Sequence, residues 1–595
     1  MSSVPERGEI DEQYKWDLTD LYADEDEWEA AYEAVEERLD DLREYEGRVT
    51  ESAATLQEVL QLREDLLRKV SNVAAYARLR RDEDTTDQHC QALAARAQSL
   101  SAEASSAASF VEPELQQADR ETIESFVDAA PALEIYEHYF DDVLRMKPHT
   151  RSPEIEEVLA DLSEVTGAAG EVYNMLTNAD MAFPTVEDPS GETRQITLNN
   201  FTTLQKHQDR EFRREVYETF YDEWETVRNA VSTAYKNAVK TDVKLAGIRD
   251  YETAREASLD GANVPVSVYD TLLETVDDNL DLLHRHADLK ADRLGVDDLA
   301  MWDLYRPMAG GDAPSIEYEQ AAEWVVEALA PLGESYQDRV AEGLESRWVD
   351  VYETAGKQSG AYSGGTYDSQ PYVLMNYQDD ITSMFTLAHE LGHSMHSDLA
   401  SDAQPYVYSS YEIFVAEVAS TVNETLLTHH LLDVVEDDDL RRHVLDEYLE
   451  RFRSTLFRQT MFADFEHRAH AHAEDGGAIT ADWLDEQYHD LKTTYYAPAS
   501  VDDRIAREWM RIPHFYYGFY VYQYATGIAS AVSIATRIEE SDRAADDYLD
   551  ALQQGGSAYP VEILDTAGVD VTATTYLSDA LDEYGRLLDQ FAALD

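Results

Sequence analysis

Apolar residues recur at spacings of three and four through most of the chain. In DEWEAAYEAVEERLDDLREYE, Trp28, Ala31, Tyr32, Val35, Leu39 and Leu42 form such a stripe. This spacing is the signature of an amphipathic helix. The same period runs through TLQEVLQLREDLLRKVSNVAAYARLRRDED, YDTLLETVDDNLDLLHRHADLKADRLG and AAEWVVEALAPLGESYQDRVAEGL. The pattern predicts a mainly α protein. Two stretches break it. Between Met181 and Thr197, Pro184, Pro189 and Gly191 punctuate a Thr/Ile-bearing segment suited to a short hairpin. A lobe boundary is placed here, giving a helical N-terminal lobe over 1–195 and a second domain over 196–595. Between Lys357 and Gln378, Gly360, Gly364 and Gly365 interrupt helix, and PYVLMNY has strand composition. A small β element is expected there. Its strand either takes up an extended peptide by strand addition or caps a small sheet.

A chain of 595 residues exceeds one ordinary core, in keeping with two lobes. No window approaches the ~18 apolar residues of a membrane span. The N-terminus, MSSVPERGEIDEQYKWDL, lacks a basic start followed by an apolar run, so a cytoplasmic enzyme is expected. A single cysteine, Cys90, excludes an intrachain disulfide and a thiolate metal cluster. Any metal must be held by His and carboxylate. Charge changes the picture most: 122 acidic residues stand against 47 basic ones, a net of -75. Such a surface repels nucleic acid and anionic membrane. The excess is spread along the whole chain, as in DVVEDDDLRRH and ESDRAADDYLDAL. That spread points to a halophilic, salt-rich cytosol, where self-repulsion is screened.

The candidate chemistry sits in FTLAHELGHSMHS, Phe385–Ser397. On a helix, His389 and His393 are i and i+4 and share a face, with Glu390 one residue along. This is H-E-x-x-H, in which two imidazoles bind zinc and the glutamate acts as general base on a metal-bound water. Met384, Ala388, Leu391, Met395 and Leu399 would anchor the other face in the core. Gly392 costs about 1 kcal/mol in a helix, which makes sense where another backbone or the metal site comes close. A zincin with a third histidine six residues on would need it at Leu399, so that class is excluded. The third ligand is then a carboxylate on the next helix, SSYEIFVAEVASTVNETLLTHH, which offers Glu412, Glu417 and Glu424. Glu417 and Glu424, seven apart, share a face, and Glu412 is turned about 140° from Glu417. Glu417 is chosen as ligand, with Glu424 supporting a ligand from behind. His396 lies two turns beyond His389 and is left off the metal. His467, His470 and His472 are read as a solvated helix end.

TLAHELGHSMH followed by IFVAEVASTVNE resembles the oligoendopeptidase F branch of the thimet-oligopeptidase-like zinc peptidases. The likeness extends to YKWDLTDLYADEDEWE, KQSGAYSGG, PYVLMN and RIPHFYYGFYVYQYATG, in the family's order. The resemblance implies a helical two-lobed bowl around a deep channel. It implies one zinc per chain, held by His389, His393 and Glu417, with Glu390 as base, and endopeptidase action on short peptides. It also implies that His514 and a tyrosine after it bind the substrate carbonyl, for which Tyr522 and Tyr524 are favoured and Tyr517 stays open. A carboxypeptidase or peptidyl-dipeptidase of similar helical zinc fold is the alternative enzyme.

Overall fold

The computed structural model describes residues 4–311 and 314–594. The chain is mostly helical, as its periodicity predicts. It forms two compact units, each assembled from separate stretches of sequence. The first takes Met1–Pro148, Pro314–Val434 and Ile534–Val569. The second takes His149–Ala313, Val435–Ser533 and Asp570–Asp595. The expected lobes, 1–195 and 196–595, divide the chain once along its length, whereas these units interleave. The Met181–Thr197 punctuation does form a hairpin, but one lying inside the second unit. Proline and glycine mark any tight turn, whether or not a domain ends there.

In the first unit, helices α1 (Ala53–Glu83) and α2 (Gln88–Ala108) pack side by side. Ser52 caps α1 by accepting from the Thr55 amide, and Asp87 caps α2 by accepting from those of His89 and Cys90. In the second unit, strands β1 (Thr185–Glu187) and β2 (Thr193–Gln195) form the hairpin, with Val186 opposite Arg194. Helix α3 (Arg210–Ile248) follows.

The stretch before the histidine motif returns to the first unit and builds a three-stranded sheet. Strands β3 (Val349–Tyr352), β4 (Tyr362–Gly364) and β5 (Tyr372–Tyr377) lie in the order β3-β5-β4. β3 runs parallel to the central β5, and β4 runs antiparallel to it at an edge. Tyr372 and Leu374 of β5 join one core with Trp16, Trp28, Val59 and Val73 from the chain's beginning. That shared core explains why residues 1–148 and 314–434 belong to one unit. Each segment alone leaves an apolar face that the other buries.

Two helices complete the framework. α4 (Ile381–Ala403) is capped by Asp380, whose Oδ1 accepts from the Ser383 amide at 2.7 Å. Met384, Ala388, Leu391 and Met395 are buried as expected, and Leu399 is half-buried. α5 (Ile413–Val434) is buried on nearly all sides from Phe414 to Thr428 and packs along α4. Gly392 marks the closest approach. A Cβ there would lie 2.6 Å from the Ala419 carbonyl oxygen and from the Ser420 Cα. In the second unit, α6 (Arg458–Glu474) comes before a turn-rich segment that leads into α7 (Tyr522–Glu540), a helix assigned to the second unit up to Ser533 and to the first from Ile534.

Candidate metal centre and aromatic cluster

One group of three metal-competent side chains emerges among the described residues: His389, His393 and Glu417, with one donor atom each and all within 4.8 Å of one another. The two Nε2 atoms are 3.2 Å apart, and Glu417 Oε2 lies 3.7 Å from His389 Nε2 and 4.0 Å from His393 Nε2. A tetrahedral ion with ligand bonds of about 2.0–2.2 Å separates its donors by about 3.3–3.6 Å; the two nitrogens stand close to that spacing, and the Glu417 oxygen lies slightly farther out.

Proton placement supports the fit. His389 Nδ1 is 2.9 Å from Glu424 Oε1, and the His393 ring is hydrogen-bonded to the Ala416 backbone. With Nδ1 on Glu424, His389 turns its Nε2 toward the Nε2 of His393. An ion held by both nitrogens would replace their direct 3.2 Å contact. Glu424, 3% exposed, is the supporting carboxylate expected from its face of the helix. Glu412 sits at the N-terminal end of α5, where its backbone carbonyl accepts from Val415 and Ala416. The charges acting on its carboxyl are those of Asp142 and Arg145.

Glu390 is 7% exposed, and burial pushes its carboxyl up to about 7 against the pull of His389. The Ser363 backbone on β4 donates to it, while Ser363 Oγ and Ser394 Oγ lie 2.9 Å apart. The edge strand thus fixes the carboxylate. Sequence reading missed Ser363, because a backbone donor has no residue signature; only the glycine-bearing KQSGAYSGG marked the place. His396 is fully buried and stacks on Tyr411 at 3.5 Å between ring centroids.

The second unit carries the other expected residues. His514 stands in a cluster of rings with Tyr517 (5.9 Å), Tyr520 (6.0 Å) and Tyr524 (6.0 Å). Tyr522 is 3% exposed and its ring packs on Tyr269 at 5.2 Å, so it serves the core of this unit. Tyr520 was not singled out from sequence, since five tyrosines within nine residues give no way to choose. The histidines of α6 are not a solvated end. His470 is 1% exposed and bonds Asp242 Oδ2 through Nε2 at 3.1 Å. His470 shares its helix face with the fully buried Glu466 and points inward with it.

With this geometry in hand, comparison with known proteins is decisive. The profile of peptidase family M3 matches residues 203–583, and that of oligopeptidase F matches 114–183. The chain belongs to peptidase family M3. Within that family it is 38% identical to oligopeptidase PepF of Bacillus subtilis, over all of this chain and 89% of that one. It is 41% identical to group B oligopeptidase PepB of Streptococcus agalactiae, over 96% of each chain. The crystal structure of oligoendopeptidase-F from Enterococcus faecium superposes with a TM-score of 0.74 at 34% identity, covering 96% of this chain and 99% of that one. M3 membership makes the protein a metallopeptidase of the oligoendopeptidase F type that acts on peptides. No described helix is long and apolar enough to cross a membrane.

Proposed function

We propose that the protein is a zinc-dependent oligoendopeptidase that cuts short peptides internally, with one zinc per chain held by His389, His393 and Glu417. The observation that carries this is the convergence of those three donors beside a buried carboxylate, Glu390, that is not one of them. Two imidazoles, a carboxylate and an open position are the donor set of a catalytic zinc. Zinc held there supplies Lewis acidity, which makes water a nucleophile at neutral pH and polarises a carbonyl oxygen. Glu390 takes the water proton at its carboxylate and returns it to the leaving amine nitrogen. Glu424 keeps His389 in the tautomer whose Nε2 is free to ligate. In this reading His514 and the hydroxyls of its ring cluster donate to the substrate carbonyl as it gains negative charge. Tyr524 and Tyr520 are preferred for this to the core-facing Tyr522.

The test separates ligands from bystanders. Glu417→Ala is expected to lose near-stoichiometric zinc, and Glu412→Ala to keep it, read by elemental analysis of purified protein. Chelation should abolish cleavage and zinc restore it. Peptides amidated at the C-terminus should still be cut internally. Cleavage confined to free C-termini would move the assignment to a carboxypeptidase.

The acid excess fits a salt-rich cytosol as the working compartment. Glu33, Glu36, Glu37 and Asp40 are exposed within eight residues, with Arg38 the one basic residue among them. Raising KCl from about 0.1 to about 1 M shrinks the Debye length from ~10 to ~3 Å. The melting temperature is expected to rise over that range. A fall would remove the halophilic reading.

A further inference from the structure

We propose that Glu466, braced by His470 and Asp242, is a positioning residue that holds the backbone turn on which Tyr517 and Tyr520 are mounted. The proposal rests on the reading that the His514 ring cluster serves the substrate. Its starting point is the backbone between those two tyrosines. Gly518 and Phe519 both have positive φ, +52° and +54°. Gly518 tolerates this, but Phe519 carries a Cβ that opposes it. Two successive left-handed residues reverse the chain sharply and persist only where the surroundings enforce them.

The enforcement is visible. The Phe519 amide donates to Glu466 Oε1 at 2.8 Å. The Phe519 ring is buried against His470, 4.5 Å between centroids, and against Tyr269 at 5.8 Å. The Gly518 carbonyl accepts from Ser258 Oγ at 2.8 Å. His470 is fixed at both nitrogens, to the Glu466 carbonyl at 2.9 Å and to Asp242 Oδ2 at 3.1 Å. A Cβ added at Gly518 would stand 3.6 Å from that same Asp242 oxygen. The turn therefore rests on a polar base plate of three side chains from two helices. Its outer side presents Tyr517 and Tyr520, whose rings are 6.2 Å apart. Tyr517 is 62% exposed, which suits a side chain that meets a ligand.

Glu466 is an expensive way to bind one amide. It is fully buried, and its Oε2 has no hydrogen-bond partner among the described residues. Burial pushes its carboxyl up to about 7, with His470 opposing. An apolar residue of equal size would fill the space without that desolvation cost. What it would lack is the acceptor for Phe519, and that difference is what the positioning role predicts.

The experiment compares Glu466→Gln with Glu466→Met. Gln keeps an acceptor oxygen, and Met keeps the volume alone. Hydrogen exchange of a peptide covering 513–521 reports the turn independently of catalysis. The Met variant is expected to exchange about tenfold faster there, and kcat for a quenched peptide to fall about tenfold or more with KM nearly unchanged. The Gln variant should stay within about threefold of wild type in both. Should the Met variant not fold, Ser258→Ala, at the turn's outer anchor, takes its place and should speed exchange of the same peptide. Wild-type exchange in the Met variant, or equal losses in Gln and Met, overturns the proposal. Single Tyr517→Phe, Tyr520→Phe and Tyr524→Phe variants separate the two readings. If they lower kcat and the Met variant does not, the positioning role is wrong. If none of the three lowers kcat, the catalytic reading of the ring cluster fails instead.

Discussion

Glu390→Gln is expected to leave the metal bound and to lower kcat about a thousandfold or more, within the range that general acid–base groups contribute. Gln matches Glu in size, and its amide oxygen can still accept from the Ser363 backbone. The three metal donors are untouched, so zinc content and KM should stay near wild type. What disappears is the ability to take a proton from water and hand it to the departing nitrogen. The carboxylate is nearly sealed, and no other described residue of the pair of helices offers an equivalent base. Glu424 is committed to His389 Nδ1, and Glu417 faces both Nε2 atoms. Steady-state cleavage of a quenched peptide, with zinc measured on the same sample, checks this. Activity above about a tenth of wild type, with zinc retained, would remove Glu390 from the mechanism.

The helical character and the grouping of His389, His393 and Glu417 were legible because both follow from short-range geometry. A 3.6-residue period puts His389 and His393 on one face, and the same period separates Glu417 from Glu412. The reason for Gly392 was legible in kind, since a costly glycine inside a helix implies a close neighbour. The neighbour's identity, the Ala419–Ser420 backbone, needed the fold. Long-range facts were not legible. The unit boundaries depend on Tyr372 and Leu374 joining the core of Trp16 and Trp28, over 340 residues away in sequence. Among the tyrosines, the helical start at Tyr522 turns that ring into the core and Tyr524 out of it. His470 escaped notice because its partner Asp242 lies on a helix 228 residues earlier. A histidine in a charged stretch looks solvated until the partner is known.

Gly392→Ala is the substitution expected to couple packing to function most directly. Ordinarily this exchange stabilises a helix by up to about 1 kcal/mol. At Gly392 the new methyl would lie 2.6 Å from two backbone atoms of α5, and 3.0 Å from the Ala419 carbonyl carbon. Backbone has no rotamer to give, so the helices must part. Overpacking of this kind costs about 1–3 kcal/mol and outweighs the propensity gain. The chemical consequence should be larger than the thermal one. His389 and His393 stand on one helix and Glu417 on the other, so parting them moves the third donor away from the first two. A misplacement of about 1 Å can cost about 100-fold in rate. The expected result is a melting temperature lower by several degrees, weakened zinc retention against a chelator, and kcat/KM reduced about 100-fold. Gly247→Ala on α3 is the matched control, because nothing lies within 4 Å of its Cβ position. It should be neutral or slightly stabilising, with zinc and activity intact. If Gly392→Ala behaved like Gly247→Ala, contact between α4 and α5 would not be what sets the donor spacing. If it melted earlier yet kept zinc and rate, the donors would be held by α4 and Glu424 alone, and the closeness of the helices would be a matter of stability only.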